Sequence, residues 1–224
     1  MSCMGYEMNI KTGELTKLIE NYQYPEEAPR NYIGASIIGS PCLRQIWYEF
    51  KGIKTDNVPN KLKRTWNIGK YLERYVINLL EACGLTIISN QHILDYTDSE
   101  LHYFKGHCDG LIVNKKSLLE IKTANDTNFR NFLNHGLKKW NPKYYAQIQA
   151  YMGMSGLFKA YLLVLNKDSS ETWDEQIEFD AIFYGILREK AQSIYEAKTI
   201  PPRINNSPLW YQCKMCQFRT TCHN

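Results

Sequence analysis

The strongest periodic pattern of apolar residues lies between Asn67 and Cys83. Apolar side chains recur there every three or four residues, at Ile68, Tyr71, Leu72, Tyr75, Val76, Leu79 and Leu80. This interval places them along one side of an α-helix. Asn67 is a suitable N-cap, and Gly84 is a typical residue for a helix end. We therefore predict a helix from Asn67 to about Cys83.

Shorter apolar runs, separated by polar turns, predict strands on both sides of a second helix. The predicted strands are Thr86–Tyr96, His102–Val113, Leu118–Thr123, Lys159–Lys167 and Thr172–Phe179. The second helix is predicted to begin after Asn141-Pro142 and to end near Gly153 to Gly156, and a last helix is predicted from Ala181 to Lys198. This order predicts an α/β protein with a mixed central sheet flanked by helices.

One predicted hairpin, GHCDGLIVNKKSLLEIK at residues 106–122, carries three charged residues among apolar neighbours. If its turn is centred on Lys115-Lys116, Asp109 is paired with Lys122 and Leu111 with Glu120. Alternation along the strands then places Asp109, Glu120 and Lys122 on one face. The other face is apolar and enters the core, with Ile112, Leu119 and Ile121.

Two carboxylates beside a lysine suit the hydrolysis of a phosphodiester. Asp109 and Glu120 offer hard oxygen ligands for Mg²⁺ or Mn²⁺, and the backbone carbonyl of Ile121 could complete part of the coordination shell. The Lys122 ammonium could orient a water molecule or offset charge on the phosphate. The alternative is a solvated hairpin face that carries only an ion pair.

Composition and charge limit the classes of protein that this sequence fits. A chain of 224 residues, 44% of them hydrophobic, can bury one core, and we predict a single domain over residues 1–224. The net charge of +4 permits a polyanionic partner without requiring one. The longest apolar run, Ala160–Leu165, is too short for a membrane span, and Glu7, Lys11 and Glu14 interrupt any signal core. We expect a cytoplasmic protein with no membrane partner.

Asp109 followed by Glu120-x-Lys122 on the next strand resembles the PD-(D/E)XK nuclease superfamily, and more closely its RecB-like exonuclease branch. Gln147 and Tyr151 in YYAQIQAY resemble the Gln-x-x-x-Tyr signature, which implies that they flank the active site and help to hold the DNA or the catalytic lysine. The alternative is a tyrosine-rich helix packed on the sheet, with Gln147 exposed.

Glu73 in NIGKYLERY matches the early helical motif of the same family, which implies a metal-proximal residue. Many relatives carry histidine at this position. Glutamate is a harder ligand, compatible with magnesium, and this departure puts a manganese preference in doubt. The alternative is a surface glutamate paired with Lys70 or Arg74.

Seven cysteines in a chain that we expect to be intracellular argue against a disulfide framework. Three of them form Cys213-x2-Cys216-x5-Cys222, and together with Cys42 they resemble the iron-sulfur pattern of the AddB and CRISPR-associated exonucleases. The resemblance implies a [4Fe-4S] cluster that joins segments 31–60 and 200–224 as a clasp. Four thiolates can also hold Zn²⁺, and His223 could replace one of them.

The resemblance implies a restriction-endonuclease-like core and a metal-dependent DNA exonuclease, similar to phage exonucleases and acting in recombination, repair or phage replication. DNA with a single-stranded end is the expected partner, alongside recombination or replication proteins, and the oligomeric state stays open. Basic and aromatic residues alternate at 61–66 and 138–144, as candidate DNA contacts or as solvated surface. The alternative function is a non-catalytic nucleic-acid-binding protein with a degenerate nuclease fold.

Overall fold

The structure is a computed structural model that describes residues 13–25, 30–56, 58–89 and 95–224. The helices are α1 (Glu14–Glu20), α2 (Ala35–Ile38), α3 (Leu43–Phe50), α4 (Asn60–Ala82), α5 (Asp126–Trp140), α6 (Pro142–Ser155), α7 (Ala181–Glu196), α8 (Tyr211–Lys214) and α9 (Arg219–His223). The strands are β1 (Ile33–Gly34), β2 (Ile87–Ile88), β3 (Asp95–Thr97), β4 (Phe104–His107), β5 (Gly110–Ile112), β6 (Ser117–Ala124), β7 (Lys159–Asn166) and β8 (Thr172–Glu178).

The strands form two mixed sheets. The larger sheet has the order β2-β5-β6-β7-β8, in which β6 and β7 are parallel and the other pairs are antiparallel. The smaller sheet has the order β1-β4-β3, with β1 parallel to β4. The parallel connection from β6 to β7 runs through α5 and α6, as a parallel pair requires. The predicted mixed α/β class is confirmed.

Local signals explain the helix that carries the Gln-x-x-x-Tyr motif. Asn141 caps α6 by accepting a hydrogen bond from the Tyr144 N–H, and Pro142 occupies the first turn. Gly156 ends the helix in the left-handed conformation, at a φ of 70°. The predicted bounds of this helix are confirmed.

The first predicted helix ends as expected but begins earlier. Gly84, at a φ of 90°, follows the C-cap Cys83 of α4. The predicted N-cap at Asn67 is wrong, because α4 begins at Asn60 directly after Pro59. The basic run at 61–66 is therefore helical, and its apolar residues lacked a periodic pattern that would have shown this.

The strand predictions before the hairpin need correction. Within Thr86–Tyr96, only β2 and the first part of β3 are extended among the described residues, and they belong to different sheets. The predicted strand His102–Val113 is two strands, because the chain leaves the smaller sheet after β4 and enters the larger one at β5. Residues 90–94 of the first prediction lie outside the described residues.

Helix α5 was not predicted from the sequence. Its buried residues are Phe129 and Phe132, which are three apart as on one face of a helix, and Leu137. Gly136 interrupts this pattern with a φ of 68°, and the freed Leu137 N–H donates to the Glu175 carboxylate at 2.7 Å. The kink and a polar composition hid the helix from a search for continuous periodicity.

The hairpin of β5 and β6 has a register two residues away from the predicted one. Gly110 is paired with Leu119 and Leu111 with Leu118, so the predicted pairing of Leu111 with Glu120 is wrong. The cause is a 3₁₀ turn at Val113–Lys115, after which Lys116 adopts the left-handed conformation. A shift by an even number of residues leaves every side chain on its predicted face.

Core residues lie on both sides of the larger sheet. The main cluster packs β6 and β7 against α5, α6 and α7, and includes Leu118, Phe129, Ile148, Leu162 and Leu187. A smaller cluster packs α4 on the opposite face, and contains Val76, Ile77, Ile87, Ile112, Leu119, Ile121 and Leu165. The prediction that Ile112, Leu119 and Ile121 enter the core is confirmed. None of the described helices combines the length and apolar composition that crossing a bilayer demands.

The close approach of β4 to α6 gives a test of this packing. A Cβ atom at Gly106 would lie 2.4 Å from Tyr151 Cε1 and 2.8 Å from Ala35 Cβ. Because both neighbours are buried, we expect Gly106→Ala to lower the free energy of unfolding by about 1–3 kcal/mol.

The matched control is Gly185→Ala on α7, where an added Cβ meets no atom within 4 Å. A helical alanine should raise the free energy of unfolding by about 0.5–1 kcal/mol. Urea denaturation measures both variants, and equal stability of the two would contradict the packing described for Gly106.

Candidate active site

The hairpin brings Asp109 close to the residues of β6, a strand that lies inside the larger sheet between β5 and β7. Asp109 lies immediately before β5, where the ladder to β6 begins. The Ile121 N–H donates to Asp109 Oδ2 at 2.7 Å, so the carboxylate occupies the place of a strand carbonyl. The N–H and C=O of one strand residue point to the same side. The Ile121 carbonyl is therefore directed to the same edge of β6 as Asp109.

Glu120 is the most buried charged residue of the site, with 2% of its surface exposed. Its Oε1 accepts a hydrogen bond from Lys122 Nζ, two residues along the same face of β6. Its Oε2 is buried and has no hydrogen-bond partner. An unpaired buried carboxylate oxygen is costly, which makes it a natural ligand for a cation.

Lys122 is held from a second direction by an aromatic ring. Its Nζ lies 4.9 Å from the centroid of the Tyr144 ring, within the range of a cation–π contact. From the sequence, Tyr144 is predicted only as a candidate DNA contact within the run 138–144. Its position, three residues before Gln147 and seven before Tyr151, places it on the same helical face and could have indicated this contact.

The Gln-x-x-x-Tyr pair lies beside the carboxylates. Gln147 Nε2 donates to the Tyr151 hydroxyl at 2.6 Å, and both side chains are buried, so the alternative of an exposed Gln147 is wrong. Burial, with smaller contributions from Glu120 and Asp109, raises the pKa of Tyr151 well above its usual value. Tyr151 therefore stays protonated and able to donate a hydrogen bond.

Glu73 on α4 completes the group of acidic residues. Burial, and then the nearby Asp109, raise the pKa of Glu73 to about 7. Burial and Asp109 also raise the pKa of Glu120 to about 8, and burial raises the pKa of Asp109. Lys122 opposes each of these shifts.

Three carboxyl groups and one ammonium therefore share a poorly solvated space. If all are ionised, they leave an excess of two negative charges, which a divalent cation would balance. The donors are all oxygens, as Mg²⁺ and Mn²⁺ prefer. Within the described part of the chain, however, no three His, Cys, Asp or Glu side chains stand at coordination geometry. The charge and the oxygen donors of the site fit a divalent cation. In this structure, however, the carboxylates surround the Lys122 ammonium group instead.

The four cysteines predicted to hold a cluster line one cavity of about 200 Å³, together with His223. The Cys216 N–H donates to the Cys213 carbonyl at 3.0 Å, and the Phe218 N–H donates to Cys216 Sγ at 3.4 Å. Burial raises the pKa of Cys213 and Cys216. The thiols converge without reaching the coordination geometry of a metal among the described residues.

The two chain segments around these cysteines also pack through other contacts. Arg44 Nε donates to the Pro201 carbonyl at 2.6 Å, and the Asp56 N–H donates to the Gln217 carbonyl at 2.7 Å. The rings of Tyr48 and Phe218 lie 5.3 Å apart. Of the remaining cysteines, Cys108 is buried in the core, Cys83 is exposed and Cys3 lies outside the described residues.

Residues 44–157 match the family described as the YqaJ-like viral recombinase domain, over just more than half of the chain. The chain belongs to this family. The matched YqaJ-like region contains Glu73, Asp109, Glu120, Lys122, Gln147 and Tyr151. It begins two residues after Cys42 and ends well before Cys213, so the family match does not reach the four cysteines. No curated protein sequence matches the chain.

Solved structures similar to this YqaJ-like protein include two of LHK-Exo, an alkaline exonuclease from Laribacter hongkongensis. The complex of LHK-Exo with dAMP has a TM-score of 0.59 at 15% identity, and the match covers 75% of this chain and 88% of LHK-Exo. The other LHK-Exo structure has the same TM-score and coverage at 16% identity.

A phage-related exonuclease from Haemophilus somnus 129PT is similar with a TM-score of 0.53 at 16% identity, over 68% of this chain and 77% of its own. SSO0001 is similar with a TM-score of 0.53 at 18% identity, over 94% of this chain and 96% of its own. At these identities the comparisons establish a shared fold. The predicted nuclease-like fold is therefore confirmed, whereas the roles of individual residues and the cluster stay predictions.

The raised carboxyl pKa values predict how stability depends on pH. In the unfolded chain Glu73 releases its proton near pH 4.5, whereas burial and the nearby Asp109 raise its pKa in the folded protein to about 7. The contribution of Glu73 to the free energy of unfolding is therefore greatest below pH 4.5. This contribution is lost as the pH rises to about 7.

We expect Glu73→Gln in EDTA to reduce this loss by about 1–2 kcal/mol between pH 5 and pH 8. Thermal or urea unfolding across this range measures it. The control is Glu81→Gln, on the exposed side of α4. Identical pH profiles for wild type and Glu73→Gln would show that Glu73 is fully solvated.

Proposed function

We propose that the protein is a metal-dependent DNA exonuclease that hydrolyses phosphodiester bonds at DNA ends during recombination. The observation that carries this proposal is the buried, unpaired Oε2 of Glu120, placed with Asp109 and Lys122 on the β5–β6 hairpin in the middle of the larger sheet. Membership of a viral recombinase domain family supports the setting of recombination. The fold shared with alkaline and phage-related exonucleases, one of them in complex with dAMP, supports the activity.

Each residue of the site has a proposed role. Asp109, Glu120 and Glu73, with the Ile121 carbonyl, would hold Mg²⁺ or Mn²⁺, which when bound supplies Lewis-acid polarisation of the scissile phosphate. Lys122 donates a hydrogen bond to the phosphate and offsets its developing charge. Gln147 holds the Tyr151 hydroxyl, and the pair positions the DNA or Lys122.

The alternative is a non-catalytic protein that binds nucleic acid through a degenerate nuclease fold. It is favoured by one observation, which is the lack of coordination geometry among the described carboxylates. Its expectation is that the protein binds DNA and leaves it intact with either metal ion.

The deciding measurement is digestion of end-labelled linear and covalently closed circular DNA, single- and double-stranded, with Mg²⁺ or Mn²⁺. We expect wild type to degrade linear DNA and to spare circles, and Asp109→Ala to lower the rate by about a hundredfold or more. The matched control is Asp174→Ala on β8, which removes an exposed carboxylate away from the site. DNA that is bound but uncut by wild type would establish the alternative function.

We further propose that Cys42, Cys213, Cys216 and Cys222 hold a metal centre that clasps segments 31–60 and 200–224. A [4Fe-4S] cluster is the first candidate and Zn²⁺ the second. The shared cavity supports this proposal, as do the Phe218 N–H, which donates to Cys216 Sγ, and Arg44 Nη1, which donates to Cys222 Sγ. Contacts such as Arg44 to Pro201 would act beside the metal rather than replace it.

Cys216→Ser tests the clasp. We expect the purified variant to lose its metal and to melt at a lower temperature, because metal binding contributes directly to folding. Metal analysis and visible absorbance separate a brown iron-sulfur protein from a colourless zinc protein. Cys83→Ser, on an exposed thiol outside the cavity, is the control. An unchanged melting temperature for the metal-free Cys216→Ser variant would falsify the clasp.

A further inference from the structure

The first half of α4 extends beyond the core. The helix has 23 residues and is therefore about 35 Å long. Its buried residues are Val76 and Ile77, which pack in the smaller core cluster, whereas none of residues 60–75 is buried. Leu72 packs against the same cluster, and a Cβ atom on Gly69 would lie 3.7 Å from Thr123 Oγ1 on β6, so the helix leaves the sheet about one turn before Glu73. About two and a half turns, residues 60–68, thus project past the candidate active site.

Two large apolar side chains on this projection lie on the same helical face as Glu73. Trp66 precedes Glu73 by seven residues, which is about two turns and about 10 Å along the axis. Leu62 is one further turn away. Trp66 is 50% exposed and Leu62 is 42% exposed. The face that leads from Glu73 away from the core therefore presents an indole ring to solvent.

A basic stripe runs beside this face. Lys63, Lys70 and Arg74 are spaced by seven and four residues, so they form one row that neighbours the row of Trp66 and Glu73. Arg74 donates to Ser89 Oγ at 3.2 Å, and Lys63 Nζ lies 5.9 Å from the ring of Tyr24. The acidic residues of α4 are Glu73 and Glu81, so the projecting part carries an excess of positive charge.

The other side of the projection differs in its surroundings. Asn60 Nδ2 donates to the Glu20 carbonyl at 2.6 Å, and Arg64 contacts the Ile19 carbonyl, so the α1 segment lies against the side opposite Glu73. Tyr71, 79% exposed, also lies on that opposite side, beyond the basic stripe. Exposed aromatic rings therefore occur on both sides of α4. Among the aromatic residues of this helix, Trp66 is the one that lies on the Glu73 face and also borders the basic stripe.

We propose that the Trp66 face of α4 binds single-stranded DNA at the entrance to the active site. Trp66 stacks on an unpaired base, and Lys63, Lys70 and Arg74 contact successive phosphates. An aromatic platform beside a positively charged track is the arrangement that binds single strands without sequence preference. The positive charge of the stripe complements a phosphate backbone. A second copy of this chain, which carries a net charge of +4, would be repelled by the stripe. This inference rests on the proposed function and adds the form of DNA that enters the site.

The test is the binding of fluorescein-labelled oligothymidylate, and of a blunt duplex of equal length, to the 224-residue chain in EDTA, measured by fluorescence anisotropy. We expect Trp66→Ala to weaken single-strand binding about tenfold and Trp66→Phe to restore it to within about threefold, since phenylalanine retains a stacking ring. Tyr71→Ala is the matched control and should bind like wild type. Lys70→Met should lower the slope of log Kd against log salt by about 0.7.

Three outcomes would overturn the inference. Trp66→Ala could bind the single strand as tightly as wild type, or Tyr71→Ala could weaken binding equally. Trp66→Ala could also change the oligomeric state in size-exclusion chromatography without changing DNA affinity, which would make this face a protein interface.

Binding in EDTA does not depend on cleavage, so the two proposals can fail separately. A wild type that binds through Trp66 but never cuts would refute the proposed function alone, whereas a cutting enzyme indifferent to Trp66 would refute the platform alone.

Discussion

Glu120 and Lys122 are two residues apart on β6, so both side chains leave the same face of a strand that is paired on both edges. Their contact inside the protein keeps a carboxylate and an ammonium ion where neither would be stable alone. Burial and mutual repulsion raise the carboxyl pKa values, while the lysine opposes the rise. The rest of the site is arranged around this pair, including the Tyr144 ring over Lys122 and the Asp109 bond to the β6 backbone.

Alternation explains why much of this could be predicted from the sequence. The faces of the hairpin depend only on the parity of residue numbers, so they survived an error of two residues in register. The register itself depended on a 3₁₀ turn and a left-handed Lys116, for which Asn-Lys-Lys carries no strong signal. The kink at Gly136 depends on Glu175 of a distant strand, and no local pattern could have indicated it.

The candidate nuclease site and the cysteine cavity belong to different parts of the chain. Asp109 and Glu120 are placed by neighbouring strands, which the sequence can specify through short-range pairing. The cysteines come together through packing between the segments near Arg44 and near Gln217, over a separation of more than 150 residues. Long-range contacts of this kind leave no periodic trace, so only the resemblance to known exonucleases could associate Cys42 with the last three cysteines.

Strand β8 is an edge strand of the larger sheet, and its outer side has no strand partner in the described structure. Such an edge offers a row of backbone groups that can recruit a strand from another molecule. Its sequence, TWDEQIE, contains Asp174, Glu175 and Glu178 among seven residues. If this edge paired with the same edge of a second molecule, like charges would lie opposite each other at the spacing of neighbouring strands. The acidic edge should therefore act as a barrier to fibrillar aggregation, and would matter most where many copies of the protein accumulate.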